Sequence, residues 1–527
     1  MPTLDWLNRD AAFRISAQVP TRVLRPHRAM PAGVGEQGPA GGANLLIQGD
    51  NLAALKALLP FYRGRVKCIF IDPPYNTQSA FEHYDDKLEH SQWLTMMLPR
   101  LQLLRELLSE DGSIWVTLDD AEAHYFRVLA DEVFGRDKFI LDIAWRKRDG
   151  PPNDRKLGSV HDHLMIWAHR RESSSKKTVA EECFNLMQRT EKADAQYQVF
   201  SEPSGPDPRG PFRKIDTTAN GKGGRFVDSL YFPIRNPYTG EEVLPRKGTC
   251  WRHSRDEMTR LQNDGRLFWG VKGTATTPMR KLFKTEAKAG MSSPSMWDDA
   301  GLNQHASAEM EKLFGEKAAF ETPKPEALLQ RILHIATHPN DLVLDSFLGS
   351  GTTAAVAHKM GRRWIGIEMG DHALTHCLPR LRKVVEGEQG GISAALGWHG
   401  GGGFRMLQLG APLFDADGEI HPEVRFADLA AFIWMRETGS ALDALATATP
   451  WLGSHEGIAY HLLFNGILGD RRPAGGNVLT AAVLAALCSA QPHDGPRVIY
   501  GEACLLGPAR LAAAGVSFKQ LPHAVPR

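Results

Sequence analysis

The sequence predicts an α/β fold: a mainly parallel sheet assembled from two separated stretches of chain, with a basic insertion between them. Three observations carry this. Short apolar strand-like runs alternate with helical periodicity from Asn44 to Leu118, and again from Pro325 to Ile367. The alternation stops near Arg148, and residues 149–318 are polar and rich in Gly and Pro. Two stiff or glycine-rich loops, at Asp72 and at Gly349, each stand directly after a predicted strand.

The elements follow in order. Residues 1–43 end in a Gly/Pro-rich stretch, Pro31 to Gly42, and read as an arm and linker. Asn44–Gln48 is a predicted strand, followed by a helix over Leu52–Leu59 and a buried strand at Val66–Ile71. An amphipathic helix is expected over Ser91–Leu108, then a turn at Asp111-Gly112 and a strand at Ser113–Leu118, completing a first half at 44–148. Within 149–318, Ser229–Ile234 and Arg266–Val271 suggest short aromatic strands. A second half at 319–388 holds a helix over Pro325–Thr337, a strand at Leu342–Asp345, a helix over Thr352–Met360 and a strand at Trp364–Ile367. The glycine-dense segment Gly387–Gly403 introduces a C-terminal α/β domain, 389–527. Its helix candidates are Phe426–Trp434 and Val478–Leu487, and its strand candidate is Val498–Gly501.

At 527 residues the chain exceeds one ordinary core, so several domains are expected. No apolar run reaches the length of a bilayer span, and Met1–Trp6 lacks the basic-then-apolar layout of a secretion signal. Six scattered cysteines without a Cys-x-x-Cys pair argue against a disulfide framework or zinc ribbon, and for a reducing cytoplasm. The net charge of +1 hides an asymmetry. Trp145–Gly290 carries 28 Lys+Arg against 18 Asp+Glu, so the remainder is acidic. A basic middle in an acidic protein suggests a polyanion-binding surface; a merely solvated basic face is the bland alternative.

Ile71-Asp72-Pro73-Pro74-Tyr75 lies where parallel sheets bind ligands, beyond the carboxyl end of a strand. Two prolines fix φ and remove two N–H donors, leaving a stiff loop with carbonyl acceptors. An exocyclic amine on a base is a poor nucleophile because its lone pair is delocalised into the ring. The Asp72 carboxylate and Pro73 carbonyl could accept its two hydrogens and localise that lone pair, while Tyr75 offers a face for an unstacked base. An ordinary Pro-Pro turn is the alternative.

The second motif, Asp345-Ser346-Phe347-Leu348-Gly349-Ser350-Gly351-Thr352-Thr353, joins a strand to a helix. Its glycines permit close approach of backbone to a ligand, and Glu368, ending the next strand, stands where an acid grips ribose hydroxyls. Gly349-x-Gly351-x-x-Ala354 also fits a loose dinucleotide fingerprint. On this segment alone NAD or FAD and S-adenosylmethionine are nearly even; Asp72–Tyr75 favours the latter, because hydride transfer has no use for it.

In this order the two motifs resemble the β class of DNA amino-methyltransferases, and more narrowly the modification (Mod) subunits of type III restriction–modification systems. Gln48-Gly49-Asp50-Asn51, Asp72 to Thr77, Ser113 to Asp120, Phe320 to Pro325 and Asp345 to Thr353 carry the resemblance. Its target-recognition region would be the central insertion. The resemblance implies a Rossmann-like, S-adenosylmethionine-dependent methyltransferase sheet, permuted with the catalytic half first. It implies catalytic and base-holding roles for Asp72, Pro73, Pro74 and Tyr75. Asp345, Phe347, Gly349, Ser350, Gly351 and Thr352 would line the cofactor, Glu368 its ribose, Lys324 its carboxylate, and Asp50 the cofactor or target base. The implied activity is methylation of adenine N6 in double-stranded DNA. N4-cytosine methylation and a non-catalytic recognition subunit are the rivals. A homodimer and a restriction ATPase/nuclease partner are further expectations. Ser346 stands where many relatives carry proline, a change that cofactor binding tolerates.

Arg146, Lys147, Arg148, Arg209, Arg213, Lys214, Lys222 and Arg225 are candidates for phosphate contacts. His161-Asp162-His163 could suggest a metal, but it runs into Leu164–Trp167 and reads better as the start of a half-buried strand. Asp119-Asp120, after a strand, could bind Mg²⁺, but methyl transfer needs no metal, and a surface or structural role is the expectation.

Overall fold

The computed structural model describes residues 3–29, 44–76, 89–153, 156–169, 183–220, 226–315, 320, 322–442, 449–467 and 469–525. The chain forms two compact units: Met1–Asn185 with Pro294–Arg527, and Leu186–Ser293.

The larger unit is built on a ten-stranded sheet. Its strands are β1 (Arg22–Pro26), β2 (Asn44–Gln48), β3 (Val66–Ile71), β4 (Leu108–Leu118), β5 (Phe139–Arg146), β6 (His161–Ala168), β7 (Met296–Trp297), β8 (Leu342–Asp345), β9 (Arg363–Glu368) and β10 (Phe404–Pro412). They lie in the order β1-β10-β2-β9-β8-β3-β4-β6-β5-β7. The six strands from β10 to β4 are parallel; β1, β6 and β5 each run antiparallel to the neighbour that joins them to the sheet. From β3 the chain proceeds to β4 on one side, and from β8 to β9 on the other. The boundary between β3 and β8 is therefore the switch point of a doubly wound sheet.

Near-continuous apolar strands imply burial on both faces, and helices supply it. Helix α1 (Arg9–Gln18), α2 (Asn51–Tyr62), α3 (His90–Leu107), α4 (Ala123–Phe134), α5 (Asn303–Phe314), α6 (Glu326–Ala336), α7 (Thr352–Lys359) and α8 (Leu378–Val385) accompany the sheet. Trp93, Leu94, Met97, Leu98, Leu101 and Leu104 of α3 are fully buried. Each contributes about 1.5–3 kcal/mol of transfer free energy.

Several expected boundaries move. The expected insertion at 149–318 is narrower as a separate unit, because β6 is a central strand between β4 and β5, and β7 and α5 also join the larger unit. Only the local pattern of β6 was visible in the sequence; its partners were not. The expected arm is partly structured: Trp6 Nε1 donates to Thr95 Oγ1 on α3 (2.9 Å) and β1 pairs with β10. The Pro31–Gly42 linker lies outside the described residues. The tail does not begin a separate core at 389, since β10 enters the sheet beside β2. Helix α9 (Phe426–Thr438) buries Leu429–Met435 in the same apolar cluster as the sheet. Beyond it, Trp451–His455, Ile458–Leu462, Arg497–Gly501 and Val516–Gln520 form a four-stranded sheet. The helix expected at Val478–Leu487 begins later, at Ala481, because Val478–Leu479 pairs as a strand with Ala503–Cys504.

The smaller unit has two aromatic clusters. Phe232, Trp251, Met258, Leu261, Leu267 and Trp269 form one; Phe212, Phe268 and Phe283 form the other, on a three-stranded sheet. A 3₁₀ turn, Asp228–Leu230, replaces the first part of the strand expected at Ser229–Ile234. The strand expected at Arg266–Val271 is confined to Leu267–Phe268.

Among the described residues no helix is long and apolar enough to cross a membrane. None of the six cysteines forms a disulfide, and four of them are buried.

Candidate active site

β3 and β8 are adjacent and parallel, with Val343 opposite Cys68 and Leu344 opposite Ile69. The loops that leave their carboxyl ends, Asp72–Tyr75 and Ser346–Gly351, therefore emerge side by side at the switch point. Asn51, at the start of α2, ties the second loop to this end of the sheet by donating to the Ser346 carbonyl (2.8 Å).

Asp72 is half-buried and held at both oxygens. Thr117 Oγ1 donates to Oδ1 (2.6 Å), and Lys324 Nζ forms an ion pair with Oδ2. Pairing of Ile71 with Val116 brings Thr117 to this height. The Pro73 carbonyl has no hydrogen-bond donor among the described residues, although Pro73 is buried. The Pro74 carbonyl accepts from Trp93 Nε1 (2.8 Å), which anchors the loop to α3. Tyr75 OH reaches Asp162 Oδ2 at 3.3 Å. Burial, then the Asp162 and Asp72 carboxylates, push the Tyr75 phenol well above its usual range, so it is a neutral donor. Asp162 is itself 2% exposed and takes its charge partner from Lys147 Nζ (2.5 Å). Next to Tyr75, Asn76 adopts φ 58° and donates to Glu122 Oε1 (2.7 Å).

The glycine turn is drawn equally tightly. Gly349 and Gly351 have φ 56° and 85°, the left-handed region that side chains with a Cβ avoid. The Gly349 N–H donates to Glu368 Oε2 (2.7 Å) at the end of β9. Asp345 accepts from the Phe347 N–H (2.9 Å) and from Thr353 Oγ1 (2.6 Å), and burial lifts its carboxyl to about 7. Ser346 Oγ is buried without a partner among the described residues.

Several of the expected cofactor residues have partners within the protein. Asp345 holds the turn with both oxygens. Ser350 and Thr352 turn inward: their hydroxyls meet at 3.1 Å, and the buried Arg380 donates to Thr352 Oγ1 (2.8 Å) and to the Ser350 carbonyl (3.3 Å). Both side chains are nearly inaccessible and take their partners within the protein. Asp50 caps α2 through the Ala53 N–H (3.0 Å) and pairs with Arg100 (3.0 Å). Lys324 lies on Asp72, with Nζ 5.1 Å from the Tyr75 ring centroid. Pro325 stands just before α6 as its N-cap, not inside it. Phe347 and Gly349 keep partial exposure in the turn, while Gly351 is buried and Glu368, 3% exposed, closes the turn through the Gly349 N–H. A glycine turn without Cβ atoms beside a strand-end carboxylate is a donor and acceptor set that fits S-adenosylmethionine.

The basic candidates also divide. Lys147 is committed to Asp162, Arg146 to the Asp149 carbonyl (2.6 Å), and Arg209 to Asp207 through two bonds of 2.9–3.0 Å. Lys147 and Arg209 are thus charge-paired within the protein, whereas Arg146 reaches a carboxylate, Asp149 Oδ1, only at 3.5 Å and stays solvent-facing. Arg148 and Lys214 are exposed; Arg213 is half-buried, 5.9 Å from the Tyr197 ring. Lys222 and Arg225 lie outside the described residues. Thr117, Trp93, Lys147, Asp162 and Arg380 are site residues whose roles here were not apparent from sequence. The sole local hint was a carboxylate, Asp162, set in an apolar strand.

The model of the DNA methylase family (N6_N4_Mtase) matches residues 66–377, which hold both motifs. The "Probable type III restriction-modification enzyme HindVI Mod subunit" of Haemophilus influenzae is 32% identical over 413 residues, covering 69% of this chain and 54% of that protein. The StyLTI Mod subunit of Salmonella typhimurium is 27% identical, covering 67% of this chain and 55% of its own. The type II methyltransferase M.EcaI of Enterobacter cloacae is 29% identical, covering 62% and 66% respectively. The chain spans little more than half the length of the two Mod subunits. Among solved structures, the cytosine-N4-specific PvuII DNA methyltransferase matches at 17% identity with a TM-score of 0.33, covering 67% of this chain and 93% of its own. With more than half of its length under the family model, and with that family's two motifs on adjacent strand ends, the chain belongs to the DNA methylase family.

Proposed function

We propose that this chain is a site-specific DNA methyltransferase that transfers a methyl group from S-adenosylmethionine to adenine N6 in double-stranded DNA. The observation that carries it is the pairing of two loops at one switch point. One presents the Asp72 carboxylate and the open Pro73 carbonyl; the other is the glycine turn closed by Glu368. When bound, S-adenosylmethionine supplies an electrophilic methyl group on its sulfonium.

The chain's own residues do the rest. Phe347, the backbone of Gly349 and Gly351, and Glu368 hold the donor. A flipped adenine stacks on Tyr75, whose hydroxyl is steered by Asp162. Asp72 and Pro73 accept the two amine hydrogens, so that the nitrogen lone pair is aimed out of the ring plane at the methyl carbon. Thr117 and Lys324 keep Asp72 in position, and Trp93 keeps the proline loop rigid. Residues 186–293, with Arg213 and Lys214 as contacts, provide the recognition module, and Arg148 of the larger unit is a separate candidate phosphate contact. Likeness to Mod subunits over two thirds of the chain supports a modification role in a type III-like restriction or defence system. In that setting a homodimer and a restriction subunit are the expected partners.

The test uses purified full-length chain, methyl-labelled S-adenosylmethionine and unmodified DNA, with nucleosides resolved after digestion. Label in N6-methyladenine, lost in Asp72→Ala, is the expected result. Label in N4-methylcytosine would correct the base, and equal absence of label in wild type and variant would overturn the enzyme reading. Replacing Arg148, Arg213 and Lys214 together should weaken DNA binding and flatten its salt dependence while sparing cofactor affinity.

A further inference from the structure

On the same sheet, but on side chains that methyl transfer does not use, lies a second cluster. His163 of β6 pairs with Leu118 at the end of β4 and with Ala144 of β5. Its Nδ1 lies 2.9 Å from Asp142 Oδ2, and its Nε2 faces Asp120 Oδ1 at 3.1 Å. The His124 ring stands 5.5 Å from the His163 ring. One ligand atom from each of Asp120, His124 and His163 lies within 4.8 Å of the others.

The chemistry of this arrangement is specific. An imidazole that gives its Nδ1 hydrogen to a carboxylate is locked in one orientation and one tautomer, with the Nε2 lone pair pointing outward. Here it points at a second carboxylate, so either a proton or a metal ion must lie between Nε2 and Asp120. A second imidazole beside them adds a neutral nitrogen donor. A divalent ion that takes the place of the proton between Nε2 and Asp120 balances the two negative charges of Asp120 and Asp142. Two nitrogens and one carboxylate oxygen, with room for water, make a donor set for zinc and its neighbours rather than for magnesium or calcium, which take oxygen. Ligand atoms in a tetrahedral zinc site lie roughly 3.3 Å apart, as bonds of about 2.0 Å require. The side chains must therefore close in slightly, and the exposed Asp120 and His124 are free to do so.

We propose that Asp120, His124 and His163 bind a divalent transition-metal ion of the zinc class, with Asp142 orienting His163 from behind. The ion would be structural. Asp120 and His124 flank Glu122, a buried carboxylate that accepts from Asn76 Nδ2 (2.7 Å) and contacts His90 Nδ1 (3.0 Å). A metal at this point clamps the turn between β4 and α4 to β6, and so firms the support beneath the residue that follows Tyr75. The proposal stands whether or not the chain methylates DNA.

The experiment is metal titration of the full-length chain, untagged and stripped with chelator, using Zn²⁺ by calorimetry and Co²⁺ by visible absorption. One equivalent should bind, with the d–d bands of a low-coordinate cobalt site. Zn²⁺ should also raise the unfolding temperature, as a ligand specific to the folded state does. His163→Ala, His124→Ala and Asp120→Ala should each abolish the cobalt spectrum. Asp142→Asn should weaken binding about 10–100-fold while leaving the spectrum's shape. The positions are near the surface, and the unfolding transition of each metal-free variant checks that it still folds. Stoichiometric binding retained by a Asp120→Ala, His124→Ala, His163→Ala triple variant, or no binding by wild type, would overturn the proposal. In the latter case His163 is simply an imidazolium between two carboxylates.

Discussion

Lys324 Nζ is ion-paired with Asp72 Oδ2 across 252 residues of sequence, and the two side chains are 10% and 19% exposed. The lysine expected to meet a cofactor carboxylate thus already neutralises the carboxylate expected to hold the base amine. Breaking a largely buried pair from one side leaves the other charge uncompensated. Lys324→Met should therefore lower unfolding free energy by about 1–3 kcal/mol, measured in denaturant, and Lys324→Arg should recover part of it. A variant as stable as wild type would show that the pair carries no net stabilisation.

Asp72→Asn preserves shape and the acceptor for Thr117, but replaces one carboxylate oxygen with a donor. Methyl transfer should fall by roughly 10²–10³-fold, the range seen when one preorganised polar group is lost from a reacting centre. Equilibrium binding of S-adenosylmethionine should change little, because the glycine turn is untouched. Loss of cofactor binding in parallel with activity would move Asp72 into the cofactor site.

Lys147 and Tyr75 meet through Asp162, which separates a phosphate-contacting lysine from a positioning one. Lys147→Gln should leave the salt dependence of DNA binding unchanged and reduce transfer, since Asp162 loses its cation. Tyr75→Phe keeps the stacking face and loses only a bond of 3.3 Å, so its loss should be several-fold at most. A reduced salt slope in Lys147→Gln would return that residue to the DNA-binding surface.

Asp345 gives a prediction in pH. Its carboxyl is lifted by burial to about 7, from an unfolded value near 3.8. The native state then holds a proton that the unfolded chain has released, so this contribution is complete below about pH 4 and is lost as pH rises through about 7. Asp345→Asn keeps an acceptor for the Phe347 N–H and removes the titration. Its stability relative to wild type should improve steadily from pH 4 to pH 7 in denaturant melts. Parallel pH profiles would mean that Asp345 is already ionised in the native protein across this range.

Much of this site was legible without coordinates. Asp72-Pro73-Pro74-Tyr75 and the glycine turn at 349–351 are written in consecutive residues, and each follows a strand whose apolar run is equally local. In a parallel sheet those two facts suffice to put both loops at the same edge. Glu368, ending the next strand, follows by the same reasoning. The alternation of period and length that marks a buried strand also survives in β3, β8 and β9 almost to the residue.

Tertiary structure alone decided who meets whom. Thr117 reaches Asp72 because β4 lies beside β3, and Asp162 reaches Tyr75 because β6, though far along the chain, packs antiparallel to β4. Strand order is selected by which faces can be buried together, a property of the whole sheet that no local pattern encodes. The same holds for Ser350, Thr352 and Lys147: their sequence neighbours suggested ligand contacts, but Arg380 and Asp162, brought in from distant elements, satisfy them within the protein. A buried polar group takes whichever partner the fold delivers, since leaving it unpaired costs more than any single contact contributes.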